Sequence, residues 1–98
     1  MPAGGGYYAI MNNQSSLVLD VTGASTANGA LVQQYASLSG ANQQWQLVPL
    51  DGGYYEVVNR ASGKVLDVIG ASSVSGTNIQ QWAYLGSANQ QWQLLPTQ

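Results

Sequence analysis

Short stretches of alternating apolar and polar residues run along the whole chain, and turn-forming residues separate them. The stretches are rich in β-branched and aromatic types, a pattern typical of β-strands with one buried face. No stretch shows helical periodicity, so the sequence predicts an all-β protein. Strands are predicted at Tyr7–Asn12, Leu17–Val21, Leu31–Tyr35, Gln43–Val48, Tyr54–Asn59, Lys64–Val68, Asn78–Trp82 and Gln90–Leu95.

The strand pattern occurs twice, with a period of 47 residues. Laying Tyr7–Asp51 over Tyr54–Gln98 needs no gap and gives 24 identical residues in 45. A fixed period of this length indicates a repeated supersecondary unit whose copies complete one another's core. The sequence therefore predicts a flexible leader over residues 1–6 (MPAGGG), a first repeat over 7–51 and a second repeat over 52–98.

Charged residues make up only 6% of the chain, against about 25% in a typical protein, and the net charge is −2. This composition argues against nucleic acid or an anionic membrane as a partner. No apolar run approaches the roughly 20 residues of a membrane-spanning helix. The chain has no Cys and no His, so it lacks thiol nucleophiles, the usual zinc ligands and the commonest general base. We therefore expect no metal, no cofactor and no catalysis.

Four strands in each repeat fit either a propeller blade or one third of a β-trefoil. The motif ANQQWQL, which begins at Ala41 and again at Ala88, helps to decide between them. With the repeated VLDV, GAS and QQ(Y/W) segments, it resembles the ricin-type lectin repeat, which is marked by a QxW motif. The resemblance covers both repeats and implies a β-trefoil in which Trp45 and Trp92 pack in the core.

A β-trefoil takes three repeats, and this chain has two. Two repeats leave unpaired strand edges and an incomplete core. Closure by identical chains needs a number of repeats divisible by three, and a homotrimer with six repeats in two trefoils is the smallest solution. The high internal identity and the missing third repeat also fit an engineered or reconstructed sequence, and a natural fragment remains an alternative.

Each repeat carries the side chains that a pocket for a neutral sugar needs: an aromatic face, a carboxylate that accepts from hydroxyls, and amides that donate and accept. The candidates are Asp20, Gln33, Tyr35, Asn42 and Gln43 in the first repeat, and Asp67, Gln80, Trp82, Asn89 and Gln90 in the second. These positions match the galactose-binding motif of the ricin-type repeat. The resemblance implies that the Asp and Asn bind sugar hydroxyls, that the aromatic ring stacks on the sugar, and that the QxW glutamine supports the Asp.

Each candidate also has a structural interpretation, since Asp can cap a turn, Asn favours loops and Gln can hold a strand or loop in place. Tyr84 follows Trp82 by two residues and is predicted to add a second aromatic wall. Its counterpart in the first repeat is Ser37, so we expect the second site to bind more tightly.

The sequence thus predicts a non-catalytic lectin that binds galactose-containing glycans (galactose, lactose or N-acetylgalactosamine) multivalently. One alternative is a trefoil scaffold with degraded pockets, and another is a xylan-type carbohydrate-binding module. A protein-binding trefoil is less favoured, because it would not need the matched Asp, aromatic and Asn sets. The resemblance suggests a secreted protein, but the chain shows no signal peptide and the compartment stays open.

Overall fold

Every regular segment of the protein is a β-strand or a short 3-10 helix in the computed structural model, which describes residues 2–96. The all-β prediction is therefore confirmed. No helix in this range is long and apolar enough to cross a membrane. The strands are β1 (Pro2–Gly4), β2 (Tyr7–Tyr8), β3 (Val18–Val21), β4 (Val32–Tyr35), β5 (Trp45–Pro49), β6 (Tyr55–Asn59), β7 (Val65–Val68) and β8 (Ile79–Trp82). The 3-10 helices are Thr22–Ala24, Ala41–Gln43, Asp51–Gly53, Ile69–Ala71 and Ala88–Gln90.

The strands pair antiparallel in a six-stranded sheet, ordered β1-β2-β5-β6-β7-β8, and in the separate pair β3-β4. Strands β5 and β6 form the hairpin that joins the two repeats. The pairs β3-β4 and β7-β8 are equivalent hairpins with the same register. Asp20 lies opposite Gln33 in one, and Asp67 lies opposite Gln80 in the other. The period of the sequence is thus also a period of the structure.

The leader forms a strand in place of the predicted flexible arm. Pro2 in β1 pairs with Tyr8, as Pro49 in β5 pairs with Tyr55 one repeat later. The reason is that PAGGG at residues 2–6 is the counterpart of the linker PLDGG at residues 49–53. In both segments the last two glycines have positive φ, a conformation that glycine adopts without steric cost and that allows the chain to reverse.

Two predicted strands differ from the structure by more than two residues. The strand predicted at Tyr7–Asn12 is confined to Tyr7–Tyr8, followed by an isolated bridge from Met11 to Val18. The strand predicted at Gln90–Leu95 is replaced by a 3-10 helix that ends at Gln90 and by one bridge between Trp92 and Tyr55. In the first repeat the equivalent strand β5 is held by β6 of the next repeat. The described residues contain no further repeat to pair with the end of the second.

The core lies between the repeats and contains Val21, Trp45, Val57 and Leu66. Trp45 is completely buried, and its indole N–H donates to the backbone oxygen of Leu19 over 3.2 Å. This part of the core prediction is confirmed. The equivalent Trp92 makes the same bond to Leu66, at 3.1 Å, but its ring is only half-buried. Trp92 thus packs against the core as predicted, but its ring is not fully enclosed as that of Trp45 is.

Trp92 lies on an open apolar cleft of about 340 Å³. Eight of its lining residues form four pairs related by the 47-residue period. The pairs are Ile10 with Val57, Leu19 with Leu66, Val32 with Ile79, and Leu47 with Leu94. Each repeat therefore contributes the same four apolar positions, and the cleft occupies the place that a third such set would fill.

Candidate carbohydrate-binding sites

The first candidate site is organised around the carboxylate of Asp20, which lies in β3 and is 5% exposed. The antiparallel register places Gln33 of β4 directly opposite, and Gln33 Nε2 donates to Asp20 Oδ1 over 3.1 Å. Leu19 and Val21, on either side of Asp20, point to the opposite face of the strand because side chains alternate along it. Asp20 is therefore held between two strands without joining the apolar core.

The 3-10 helix Ala41–Gln43 brings two more amides to the same carboxylate. Asn42 Nδ2 donates to Asp20 Oδ2 over 3.2 Å and also to the backbone oxygen of Val21. Gln43 Nε2 donates to Asp20 Oδ2 over 2.9 Å. A carboxylate accepts about four hydrogen bonds. Three amides therefore leave one acceptor position, on Oδ1, and Asp20 lines an open pocket of about 320 Å³.

The second repeat builds the same arrangement around Asp67, which is also 5% exposed. Gln80 Nε2 lies 3.0 Å from Oδ1, and Asn89 Nδ2 and Gln90 Nε2 lie 3.2 and 2.9 Å from Oδ2. Each distance agrees with its counterpart in the first repeat to within 0.1 Å. Asp67 lines an open pocket of about 390 Å³. We call the first arrangement site one and the second site two.

The two QxW glutamines, Gln43 and Gln90, are buried, and their amide groups make hydrogen bonds on both sides. Gln90 donates to Asp67 and to the backbone oxygen of Ala83, and its Oε1 accepts the backbone N–H of Leu85 over 2.7 Å. Gln43 makes the same three contacts in site one. Both side chains therefore position the carboxylate and fix the loop after β4 or β8.

The aromatic residues differ between the sites. Tyr35 is half-exposed on the pocket of site one, and Trp82 lines the pocket of site two with its ring partly covered. The backbone of the first repeat packs against Trp82 at Gly29. A Cβ atom added at Gly29 would lie 3.7 Å from the indole ring. Gly29 is not among the residues that line the pocket, so the neighbouring repeat packs on Trp82 beside site two.

One polar difference concerns the asparagines. In site two, Ser87 Oγ donates to Asn89 Oδ1 over 2.6 Å, so the Asn89 amide is held at both ends. The counterpart of Ser87 is Gly40. A Cβ atom at Gly40 would lie only 2.7 Å from Asn42 Oδ1, so Asn42 occupies space that a larger residue would need.

A comparison with known protein families identifies the chain. The family described as "ricin-type beta-trefoil lectin domain-like" matches residues 1–82 and, a second time, residues 41–98. The chain belongs to the ricin-type β-trefoil lectin family. The resemblance drawn from the QxW repeats is thus confirmed, and so is the trefoil architecture.

Three proteins show how this ricin-type chain compares with others. The designed threefold-symmetric protein ThreeFoil is 50% identical over 93% of the chain, with a TM-score of 0.91. The exo-β-1,3-galactanase 1,3Gal43A from Clostridium thermocellum is 40% identical over 96% of the chain, with a TM-score of 0.93. Clotting factor G alpha subunit from Tachypleus tridentatus is 48% identical over 40 residues, 41% of the chain. The chain spans 65% of ThreeFoil, 20% of the galactanase and 6% of the clotting factor.

Most of the predicted residues of this ricin-type chain come together in the two sites, and Tyr84 is the exception. Tyr84 is 39% exposed but does not line the pocket of site two. Strand β8 ends at Trp82, so the alternation that would place both rings on one face does not continue to Tyr84. In the described part of the chain, no group of three acidic, His or Cys side chains is arranged to hold a metal ion.

The sequence reasoning missed several residues that line the pockets. They are Gly23, Ala24 and Leu38 in site one, and Gly70, Ala71, Leu85 and Ser87 in site two. Ala24 and Ala71 have φ of 51° and 52°, a left-handed conformation that costs energy for any residue with a Cβ atom. Such strain is frequent at binding sites. The sequence signals were the segment GAS and the leucine at 38 and 85, which are identical in both repeats.

Proposed function

We propose that the protein binds galactose-containing glycans at sites one and two without catalysing a reaction on them. The observation that carries this proposal is the Asp carboxylate in each repeat, held by three amides and left with one open acceptor position beside an aromatic ring. A sugar presents hydroxyls to such an acceptor and a C–H face to such a ring. Membership of a lectin-type family supports the proposal, and so does the likeness to an enzyme named for its action on galactan.

Each site residue has a distinct role in this proposal. The carboxylates of Asp20 and Asp67 accept from a sugar hydroxyl. Tyr35 and Trp82 stack on the sugar. The remaining residues hold or extend the polar edge of each pocket: Gln33, Asn42 and Gln43 in site one, and Gln80, Asn89 and Gln90 in site two.

The arrangement of the acids supports binding without catalysis. Glycoside hydrolysis uses two carboxyl groups about 5–10 Å apart across one bond. Asp20 and Asp67 line different pockets, and neither pocket has a second acidic residue in its lining. A pocket with one carboxylate can hold a sugar but lacks the second group that hydrolysis needs.

We further propose that three chains assemble through the apolar cleft into two closed trefoils and so present six sites. Several weak sites on one rigid body raise the effective affinity for a glycan surface by avidity. The half-buried Trp92 and the exposed Leu94 support an interface at this place.

Calorimetric titration with lactose tests the binding proposal. We expect two lactose molecules per chain for the native protein and one for Asp67→Ala or Asp20→Ala. Asp51→Ala is the matched control, because Asp51 is exposed and lines neither pocket. Two lactose molecules per chain in Asp67→Ala or Asp20→Ala would contradict the site that the variant was meant to remove.

A panel of galactose, N-acetylgalactosamine, mannose and xylose identifies the sugar class. A preference for xylose would replace the galactose proposal by a xylan-type binding module. No binding of any sugar would favour a structural scaffold, a reading that the likeness to the designed protein ThreeFoil keeps open.

A further inference from the structure

The second repeat holds a loop of the first through the side chain of Gln81. This glutamine is completely buried, and its Nε2 donates to the backbone oxygens of Ser25 and Ala27 over 2.9 and 2.8 Å. Its Oε1 accepts from Ser62 Oγ of its own repeat over 2.8 Å. One side chain thus ties the loop at residues 25–30 to the second repeat.

Backbone hydrogen bonds complete this contact, which we call the loop clasp. Gly29 N–H donates to the oxygen of Gln81, and Gln81 N–H donates to the oxygen of Ala30, each over 2.9 Å. The backbone N–H of Ala83 donates to Asn28 Oδ1, also over 2.9 Å. The clasp brings Gly29 beside Trp82 and Gln80, two residues of site two.

The first repeat has an equivalent glutamine, Gln34, but no loop of the described chain is bound to it. Gln34 accepts from Ser15 over 2.9 Å, as Gln81 accepts from Ser62. Within residues 2–96, however, Gln34 Nε2 has no hydrogen-bond partner, and the side chain is exposed. The next residue, Tyr35, is 50% exposed because no loop covers it as Gly29 covers Trp82. The aromatic ring of site one therefore lacks the packing that Trp82 of site two has.

A loop of the required shape lies exposed on the second repeat. Gly76 has a φ of 90°, and its counterpart Gly29 has a φ of 89°. The loop at residues 72–77 therefore has the conformation of a clasped loop although no glutamine in the described part of the chain holds it. Val74 at its tip is 73% exposed. Thr77 Oγ1 bonds the Val74 oxygen over 2.7 Å and fixes the turn from within.

We propose that a second copy of this chain packs on Tyr35 and so completes the surroundings of site one. A repeat of that copy places its loop where Gln34 Nε2 can donate to the loop backbone, and it places its apolar side chains in the cleft. The glycine of the docked loop, Gly29 or Gly76 of the second copy, then covers Tyr35 as Gly29 covers Trp82 within the chain. Assembly and sugar binding at site one are coupled, while Trp82 of site two is already covered in any chain whose two repeats are packed together.

The contact between the two repeats of one chain indicates why the partner is a copy. The first repeat exposes Gln34, the counterpart of the donor Gln81 in the loop clasp. The second repeat exposes the loop at residues 72–77, the counterpart of the loop that Gln81 holds. The cleft is lined by apolar residues and Gln93, which suits the four apolar positions of another repeat. A chain whose two repeats stay packed together supplies two thirds of a trefoil and needs one more repeat. In a trimer with two trefoils, two chains stay packed in this way, and the third chain separates its repeats and gives one to each of them.

The docking itself is tested without sugar by light scattering over a range of chain concentrations. Three chains of 10.3 kDa each predict a mass of about 31 kDa. Gln34→Ala removes the donor and is expected to raise the concentration for half-assembly roughly tenfold or more. Gln46→Ala is the matched control, because Gln46 lies in the internal β5-β6 hairpin.

Leu94→Asp serves as a second docking variant, because it places a charge in the cleft without touching the loop clasp. It is expected to abolish assembly. A native protein that stays monomeric, or a trimer that neither Gln34→Ala nor Leu94→Asp weakens, would overturn the docking.

The coupling to site one rests on the proposed function and needs lactose titrations. Asp67→Ala leaves only site one, whose affinity is expected to fall at least threefold when Gln34→Ala is added at a chain concentration that assembles Asp67→Ala alone but not the double variant. Asp20→Ala leaves only site two, whose affinity should not change with Gln34→Ala. Equal behaviour of both sites overturns the coupling. If the chains assemble but neither site binds any sugar, the proposed function fails and the docking stands.

Discussion

Gln90 Nε2 donates to Asp67 Oδ2 over 2.9 Å, and both side chains are buried. The same amide also bonds the backbone of the loop that follows β8. One side chain therefore sets the position of the carboxylate and the shape of the pocket rim together. Gln43 and Asp20 repeat this relationship at the same distance, 2.9 Å.

Gln90→Ala tests this positioning role. The change removes one donor from Asp67 and leaves the loop without its anchor, so we expect a loss of about 1–3 kcal/mol of unfolding free energy. Sugar affinity at site two should fall with it, because the carboxylate and rim lose their fixed geometry. Urea denaturation and lactose titration of the Asp20→Ala background measure the two effects.

Gln91→Ala is the matched control for this experiment. Gln91 is the neighbouring glutamine, but its amide bonds only the backbone of Gly86 and not the carboxylate. Its lactose affinity should stay within about twofold of the parent. If Gln90→Ala binds lactose as the parent does, Gln90 has no role in positioning Asp67 for the sugar.

The repeat explains why much of each site was predictable from sequence. Asp67, Gln80, Asn89 and Gln90 occupy the positions that Asp20 and its partners occupy. Antiparallel pairing places the strand glutamine opposite the Asp in both repeats, and a 3-10 helix brings the Asn and the QxW glutamine. Side-chain alternation failed only at Tyr84, because it lies beyond the end of β8.

The environment of each repeat was not predictable in the same way. Gln34 and Gln81 are identical in sequence, yet one is exposed and the other buried. Trp45 and Trp92 differ likewise. In both pairs the difference arises from the neighbouring repeat that packs against one residue and not the other. The sequence of the motif is the same in both repeats, so it does not predict which copy is covered.

Ser87→Gly is expected to weaken sugar binding at site two. The Ser87 hydroxyl holds Asn89 Oδ1 at 2.6 Å, and without it the Asn89 amide gains freedom that binding must then remove. Ordering one side chain costs about 0.5–1.5 kcal/mol, so affinity should fall roughly two- to tenfold. The reverse change, Gly40→Ser, is expected to strengthen site one once Asn42 has shifted to make room. Calorimetry on single-site backgrounds separates the two, and unchanged affinity in Ser87→Gly would remove Ser87 from the account of site two.

Ser16→Gly is expected to stabilise the fold. Ser16 has a φ of 60°, and its counterpart in the second repeat is Gly63, with a φ of 71°. The left-handed conformation costs a residue with a Cβ atom about 1–2 kcal/mol, and the added flexibility of an unfolded glycine offsets about 0.5–1 kcal/mol of the gain. The net increase in unfolding free energy should be about 0.5–1 kcal/mol. Gly63→Ser should lower stability by a similar amount. Both are measured by urea denaturation at one fixed chain concentration, and a stable Gly63→Ser would show that the turn carries no strain.

Trp92 is expected to report assembly through its fluorescence. Its ring is half-buried on the open cleft, while Trp45 is already completely buried and Trp82 lies at the sugar site. Docking of another repeat would remove Trp92 from water, so its emission should shift to shorter wavelength as the chain concentration rises. Trp92→Phe should abolish the shift and Trp82→Phe should preserve it, whereas lactose should act on Trp82 alone. A shift that persists in Trp92→Phe would mean that the chains meet at a surface other than the cleft.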